Sequence, residues 1–242
     1  MSDPVLLQED HGAVRTLTLN RPDKRNALNT ALTRALVAAL DAAEAERDVR
    51  AVVLAGAGAG FCAGADLKEF AELTPDQAER VSERADLTHR LQSILHVMRK
   101  PVIAAVHGAA VGGGAGIALS SDLIVAGEDV RIGFPELRHQ IVPALVMPAL
   151  QRSIGRKLAF EMIALGRFLD AREARAEGIV NRVVPNEQVI AQALELAQAC
   201  AQTDPQAMAA AKRLFYRVAD LPFPAAMEAG RDVNTMMRSF RQ

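Results

Sequence analysis

Phe61-Cys62-Ala63-Gly64-Ala65-Asp66-Leu67-Lys68-Glu69 and His107-Gly108-Ala109-Ala110-Val111-Gly112-Gly113-Gly114-Ala115-Gly116 are two glycine-bearing stretches of one pattern. Each follows a short β-like run and precedes a helix-like one. A strand-to-helix turn leaves unpaired N–H groups at the start of the helix, and glycine lets a ligand come close to the backbone. Taken singly, either stretch reads equally well as a tight turn packed on a sheet. If the two converge, they form an oxyanion hole.

Working outward, Val14 to Leu19 alternates and predicts a half-exposed strand. Asn29 or Thr30 caps a helix whose Leu32, Leu36, Ala39, Leu40 and Ala43 recur at three- and four-residue spacing. Val52-Val53-Leu54 is a short buried-type strand. Leu73 to Met98 is helical in pattern, with Thr74 and Pro75 as its start signal and Leu87, Leu91, Ile94, Leu95 and Met98 as its inner face. Pro101 opens Val102 to Val106, a fully buried strand by composition, and Leu123-Ile124-Val125 follows the triple-glycine turn and its helix. Strands alternating with helices place the chain in the α/β class. After Pro185, Glu187 to Ala201 and Gln206 to Val218 read as Ala-rich amphipathic helices with no strand between them. The expected organisation is a core over 1–185 and a helical region over 186–242 whose apolar face needs a partner.

Bulk properties narrow the function. At 242 residues and 50% apolar content the chain can bury a sizeable core. A net charge of −1, with cations scattered among acids, argues against a nucleic-acid or anionic-membrane surface, and 4% aromatic content argues against base stacking. Pro101 to Ser121 approaches the length of a bilayer span, yet it is largely Gly and Ala and is interrupted by His107. A buried strand, turn and helix explain it better. Cys62 and Cys200 are far apart, with no metal-ligand spacing around them, so they are expected to stay thiols in a reducing compartment. Cys62 reads as packing rather than as a nucleophile. No signal peptide is legible in Met1 to Asp10, and a cytoplasmic location is expected.

In wording and order, the motifs resemble the crotonase, or enoyl-CoA hydratase/isomerase, superfamily. The resemblance runs from Leu17-Thr18-Leu19-Asn20-Arg21-Pro22-Asp23-Lys24-Arg25-Asn26-Ala27-Leu28-Asn29 through both glycine stretches and Phe134-Pro135-Glu136 to Ala171-Arg172-Glu173-Ala174 and Gly178-Ile179-Val180-Asn181-Arg182-Val183-Val184-Pro185. It implies a spiral of ββα units with a C-terminal helical trimerisation region, a homotrimer or dimer of trimers, and an acyl-CoA thioester as substrate. No cofactor beyond the coenzyme A carried by that substrate is implied, and no metal.

The same resemblance assigns the oxyanion-hole donors to Ala65 and Gly113 and an acid/base role to Glu136. Two backbone donors in a dry site stabilise an enolate as its charge appears, each worth roughly 3–4 kcal/mol in the transition state. Lys24, Arg25 and Lys68 are candidates for the phosphates of coenzyme A, and solvated surface charge explains any one of them nearly as well. Ala27, Ala63, Gly64, Leu67, Gly112 and Gly116 are the other substrate-binding positions implied, whereas Asp66 suits a helix cap.

One departure decides the preferred chemistry. The hydratase members hold a water between two glutamates, and the first of these positions is Gly116 here. Moving a double bond needs a single base that removes a proton and returns it two carbons away, which Glu136 alone can do. Isomerisation of 3-enoyl-CoA to 2-enoyl-CoA is therefore expected, with hydration as the alternative if His139 or Gln140 orients a water. Ala144 stands where the dehalogenases and naphthoate synthases of the family carry an aspartate, which argues against both activities. Arg238 and Arg241 are candidates to close the CoA site.

Other readings fare worse. Gly56-Ala57-Gly58-Ala59-Gly60 and Gly112 to Gly116 both lack G-x-G-x-x-G spacing, no G-K-[ST] exists for a P-loop, and no G-x-S-x-G marks a serine hydrolase, since Ser120 and Ser121 fall after the turn. A non-catalytic member that binds acyl-CoA or RNA on the same scaffold is the rival from another class, and the near-neutral charge disfavours RNA.

Overall fold

The computed structural model describes residues 3–238. Its strands and helices in chain order are β1 (Leu6–His11), β2 (Val14–Leu19), α1 (Thr30–Ala45), β3 (Ala51–Gly56), α2 (Leu67–Ala71), α3 (Ala78–Val97), β4 (Val102–Val106), β5 (Ala109–Val111), α4 (Gly113–Ser120), β6 (Leu123–Gly127), β7 (Arg131–Gly133), α5 (Met147–Ser153), α6 (Arg156–Leu165), β8 (Phe168–Leu169), α7 (Ala171–Ala176), β9 (Arg182–Val184), α8 (Val189–Ala201), α9 (Pro205–Val218) and α10 (Phe223–Arg238).

A six-stranded sheet in the order β1-β2-β3-β4-β6-β9 runs through the molecule, parallel except for the β1–β2 hairpin. A smaller sheet, β5-β7-β8, is fed from it, because β4 leads into β5 and β6 into β7 after short turns. The segment after β3 joins the small sheet through a parallel bridge between Cys62 and Ala110. Successive turns of the chain thus repeat a long strand, a short strand and a helix. This is the ββα spiral, and it is invisible as sequence periodicity because the short strands are only two or three residues long.

The pleat sends alternate residues of each central strand to opposite faces. Val52, Leu54, Val102, Ala104 and Val106 join the larger core with Leu32, Leu36 and Leu40 of α1 and Leu91, Ile94 and Leu95 of α3. Val53, Ala55, Ile103, Ala105 and Val125 face the other way and meet Val189, Ala193 and Ala197 of α8. Burying one such leucine or valine side chain contributes roughly 1.5–3 kcal/mol. Because both faces are covered, β2 is buried along nearly its whole length, not half-exposed as its alternation suggests. Arg15 on β2 is only 3% exposed and is satisfied by Asp10 and Glu46, two bonds to each at 2.8 Å.

Helix boundaries follow local chemistry. Asn29 caps α1 by accepting from Leu32 N–H at 2.9 Å, and Asp66 caps α2 by accepting from Glu69 N–H. The long helix expected from Leu73 begins at Ala78, after a 3-10 turn over Pro75–Gln77. Of the tail helices, α8 belongs with the core, since its apolar stripe closes the second face of the sheet. Among the described residues, the large apolar side chains left exposed on the tail are Ile190 of α8 and Phe215, Phe223, Met227 and Met236 of α9 and α10. Among the described residues no helix is long and apolar enough to cross a membrane. Arg241 lies outside the described residues.

Candidate active site

Backbone pairing brings the two glycine stretches together. Leu28 N–H donates to the Gly64 carbonyl at 2.7 Å, and Asp66 N–H donates to the Leu28 carbonyl. Ala63 N–H donates to the Arg25 carbonyl, Cys62 N–H to that of Ala109, and Val111 N–H to that of Cys62. The stretch after β3 is therefore clamped between the loop before α1 on one side and β5 on the other. Asn26, fully buried, fixes that loop by donating from Nδ2 to the carbonyls of Ala57, Gly60 and Phe61.

Gly64 (φ +88°) sits directly against the second turn: a Cβ on it would stand 2.7 Å from the Val111 oxygen and 3.5 Å from the Gly113 nitrogen. No side chain fits there. Among the described residues, neither Ala65 N–H nor Gly113 N–H donates to an acceptor. Gly113 opens α4, so the partial positive charge of the helix start adds to its amide. Two unpaired amides on adjoining turns are the kind of donor that can stabilise a developing negative charge.

β7 carries the acid/base candidate to the same place. Gly112 N–H donates to the Gly133 carbonyl at 2.9 Å, which lays Phe134-Pro135-Glu136 over the start of α4. Gly112 has φ +52°, and a Cβ there would meet Glu136 Oε1 at 2.6 Å, so glycine is what lets the carboxyl approach. Glu136 Oε2 is buried with no hydrogen-bond partner among the described residues. Burial pushes its carboxyl above the ordinary value of 4.5.

The other expected site residues separate into two groups. Gly64, Gly112 and Gly116 are buried, and Ala27 and Ala63 are half-buried, all in the packed turns just described. Lys24, Arg25, Leu67 and Lys68 are exposed on the flanking surface, and among the described residues none of the three cations is engaged in an ion pair. Arg21, not expected at the site, pairs with Asp66 at 2.9 Å and donates to the Ala27 carbonyl. Arg84 reaches Glu69 and the Leu28 carbonyl, and these residues with Ala65, Phe70 and Leu73 line a small crevice beside the amides. A larger cavity lies behind Glu136, between Pro135, Leu137 and Arg138 and the end of α6.

Cys62 is fully buried beneath Gly114, its thiol donates to the Asn26 carbonyl, and desolvation pushes its pKa up to about 12. Such a thiol packs and does not attack. His139 and Gln140 are both exposed, whereas Oε2 of Glu136 is buried. A buried polar side chain that does pack on the start of α4 is Gln92 of α3. It is 6% exposed, donates from Nε2 to the Gly113 carbonyl at 3.0 Å, and leaves Oε1 buried and, among the described residues, unpartnered. Nothing in its sequence neighbourhood marks it, because its proximity to α4 arises from helix crossing.

A spiral ββα core that brings the two glycine turns and one desolvated carboxyl together defines a crotonase-type fold. The family model for enoyl-CoA hydratase/isomerase matches residues 9–240, and the chain belongs to that family. It is 39% identical over 226 residues to the 2,3-dehydroadipyl-CoA hydratase of Escherichia coli, covering 93% of this chain and 86% of that one. It is 37% identical over 215 residues to an enoyl-CoA hydratase of Mycobacterium tuberculosis, covering 88% and 80%. Among solved structures, the enoyl-CoA hydratase of Mycobacterium smegmatis superposes with a TM-score of 0.92 at 34% identity, covering 99% of this chain and 93% of that one.

Proposed function

We propose that this acyl-CoA enzyme moves the double bond of an enoyl thioester from the 3- to the 2-position, with Glu136 as its single acid/base. The observation that carries the reading is the lone desolvated carboxyl over Gly112 beside two unpaired amides, with glycine at 116. The Glu136 carboxylate takes a proton from C2, and the electron pair moves onto the thioester oxygen, which the N–H groups of Ala65 and Gly113 hold. The carboxylic acid so formed returns the proton at C4, and the C2–C3 double bond results. A carboxyl with a raised pKa suits both halves of this cycle near neutral pH.

Hydration of a 2-enoyl thioester is the second reading, supported by the hydratase names of the relatives. It requires a group besides Glu136 to hold the water. In either case Lys24, Arg25 and Lys68 meet the phosphates of coenzyme A, and Ala27, Ala63, Gly64 and Leu67 flank its approach. The thioester brings the only cofactor. The exposed apolar residues of α9 and α10 support assembly as a trimer or dimer of trimers, and the two free thiols support a cytoplasmic setting.

The test offers 3-enoyl- and 2-enoyl-CoA separately and follows the conjugated enoyl absorbance, with Glu136→Gln as control. Absorbance is expected to rise from the 3-enoyl substrate and to fail to do so in the variant. Full turnover by Glu136→Gln would end the proposed proton shuttle.

A further inference from the structure

The Gln92 carboxamide is held in one orientation. Among the described residues its one hydrogen-bond partner is the Gly113 carbonyl at 3.0 Å, an acceptor, so the NH₂ must face Gly113 and Oε1 must face away. Oε1 is then turned toward Gly116, where a Cβ would stand 2.6 Å from it and 2.5 Å from Val146 Cγ1. Glycine at 116 and glutamine at 92 are therefore matched: the carboxamide from α3 occupies the space into which a side chain from 116 would point.

Gly116 N–H donates to the Gly112 carbonyl at 2.8 Å, which sets the two glycines about one helical turn apart, roughly 6 Å along the axis. One is roofed by the Glu136 carboxyl and the other by the Gln92 carboxamide, and each roof carries a buried oxygen without a donor among the described residues. A buried acceptor without a partner is unfavourable unless a ligand supplies the donor. The carbons of an enoyl group supply none. A water molecule, or the hydroxyl that water becomes on C3, supplies one.

We propose that Gln92 is a positioning residue that holds a water beside Glu136, so that this one-glutamate site also hydrates 2-enoyl thioesters. The inference rests on the reading of Glu136 as acid/base. In the step, one water O–H is held by Gln92 Oε1 while the Glu136 carboxylate takes the other proton. The water oxygen bonds to C3, and the C2–C3 π pair passes to the thioester oxygen. Glu136 then returns its proton to C2 as the carbonyl re-forms. The product is a 3-hydroxyacyl thioester whose hydroxyl hydrogen is the one Gln92 held, and no other reactant is consumed.

The experiment measures hydration and isomerisation side by side in the wild type, Gln92→Met, Gln92→Glu and Glu136→Gln, each checked for its thermal midpoint. Gln92→Met keeps the length and removes both the acceptor and the donor to the Gly113 carbonyl; it is expected to lose hydration by about tenfold or more while isomerisation stays within about threefold. Gln92→Glu retains an acceptor and, in its protonated form, a donor to the Gly113 carbonyl, and is expected to keep hydration at pH values where that carboxyl is protonated. Binding gives a second readout: the wild type should prefer a 3-hydroxyacyl over the saturated acyl thioester, and Gln92→Met should lose that preference. Parallel loss of both reactions in Gln92→Met, unchanged hydration, or a wild type that does not hydrate would each overturn the inference. Failure of the Glu136 reading shows separately, as Glu136→Gln retaining both rates.

Discussion

At the scale of single residues, Glu136 is where fold and chemistry oppose each other. Its carboxyl is desolvated, one oxygen has no partner, and its pKa lies above the ordinary 4.5. The sign follows directly: the fold favours the protonated form, so the group's contribution to stability is full below pH 4.5 and is lost as pH rises through its raised value. Glu136→Gln is therefore expected to raise the melting temperature at neutral pH, with the gain vanishing in acid below the ordinary value. Denaturation of both proteins across that range measures it, and a pH-independent difference would contradict it. Glu136 was legible in the sequence through Phe134-Pro135-Glu136. Gln92 was not, because it looks like any polar residue in a helix until α3 crosses α4.

At the scale of elements, β3 and β4 could be read because strands covered on both faces have uniformly apolar sequences, and α1 could be read from its leucine spacing and Asn29 cap. β1 could not, since it is a largely exposed edge strand rich in polar residues, and β5, β7 and β8 are too short to carry a pattern. α10 escaped because its apolar residues, Phe223, Met227 and Met236 among them, remain exposed. The tail is tied to the sheet by a buried polar link no local pattern announces. Lys212 of α9 donates from Nζ to Asp122 at 2.6 Å and to the Lys100 carbonyl at 2.9 Å, and Tyr216 OH donates to the other Asp122 oxygen at 2.7 Å. Desolvation lowers the Lys212 pKa while Asp122 opposes the shift. Asp122→Ala strands that ammonium and is expected to cost about 3 kcal/mol or more of stability in urea unfolding, with α9 exposed first to proteolysis. A loss within about 0.5 kcal/mol would show that the link does not hold the tail.

At the scale of the whole molecule, the spiral stacks successive turns so that the loop before α1, the turn after β3, the start of α4 and the end of β7 meet at one point. Each segment contributes backbone or one side chain, and no segment carries the site alone. That convergence is the central claim. Its most direct test needs neither double-bond movement nor water addition: a saturated acyl-CoA incubated with the enzyme in deuterium oxide, with exchange of the C2 hydrogens followed by mass spectrometry. Exchange should be catalysed by the wild type, lost in Glu136→Gln, and reduced about 10²- to 10³-fold in Gly113→Pro, which removes one amide donor at a helix position where proline is tolerated. Wild-type protein that exchanges no deuterium, or a folded Gly113→Pro variant that exchanges at the full rate, would contradict the account.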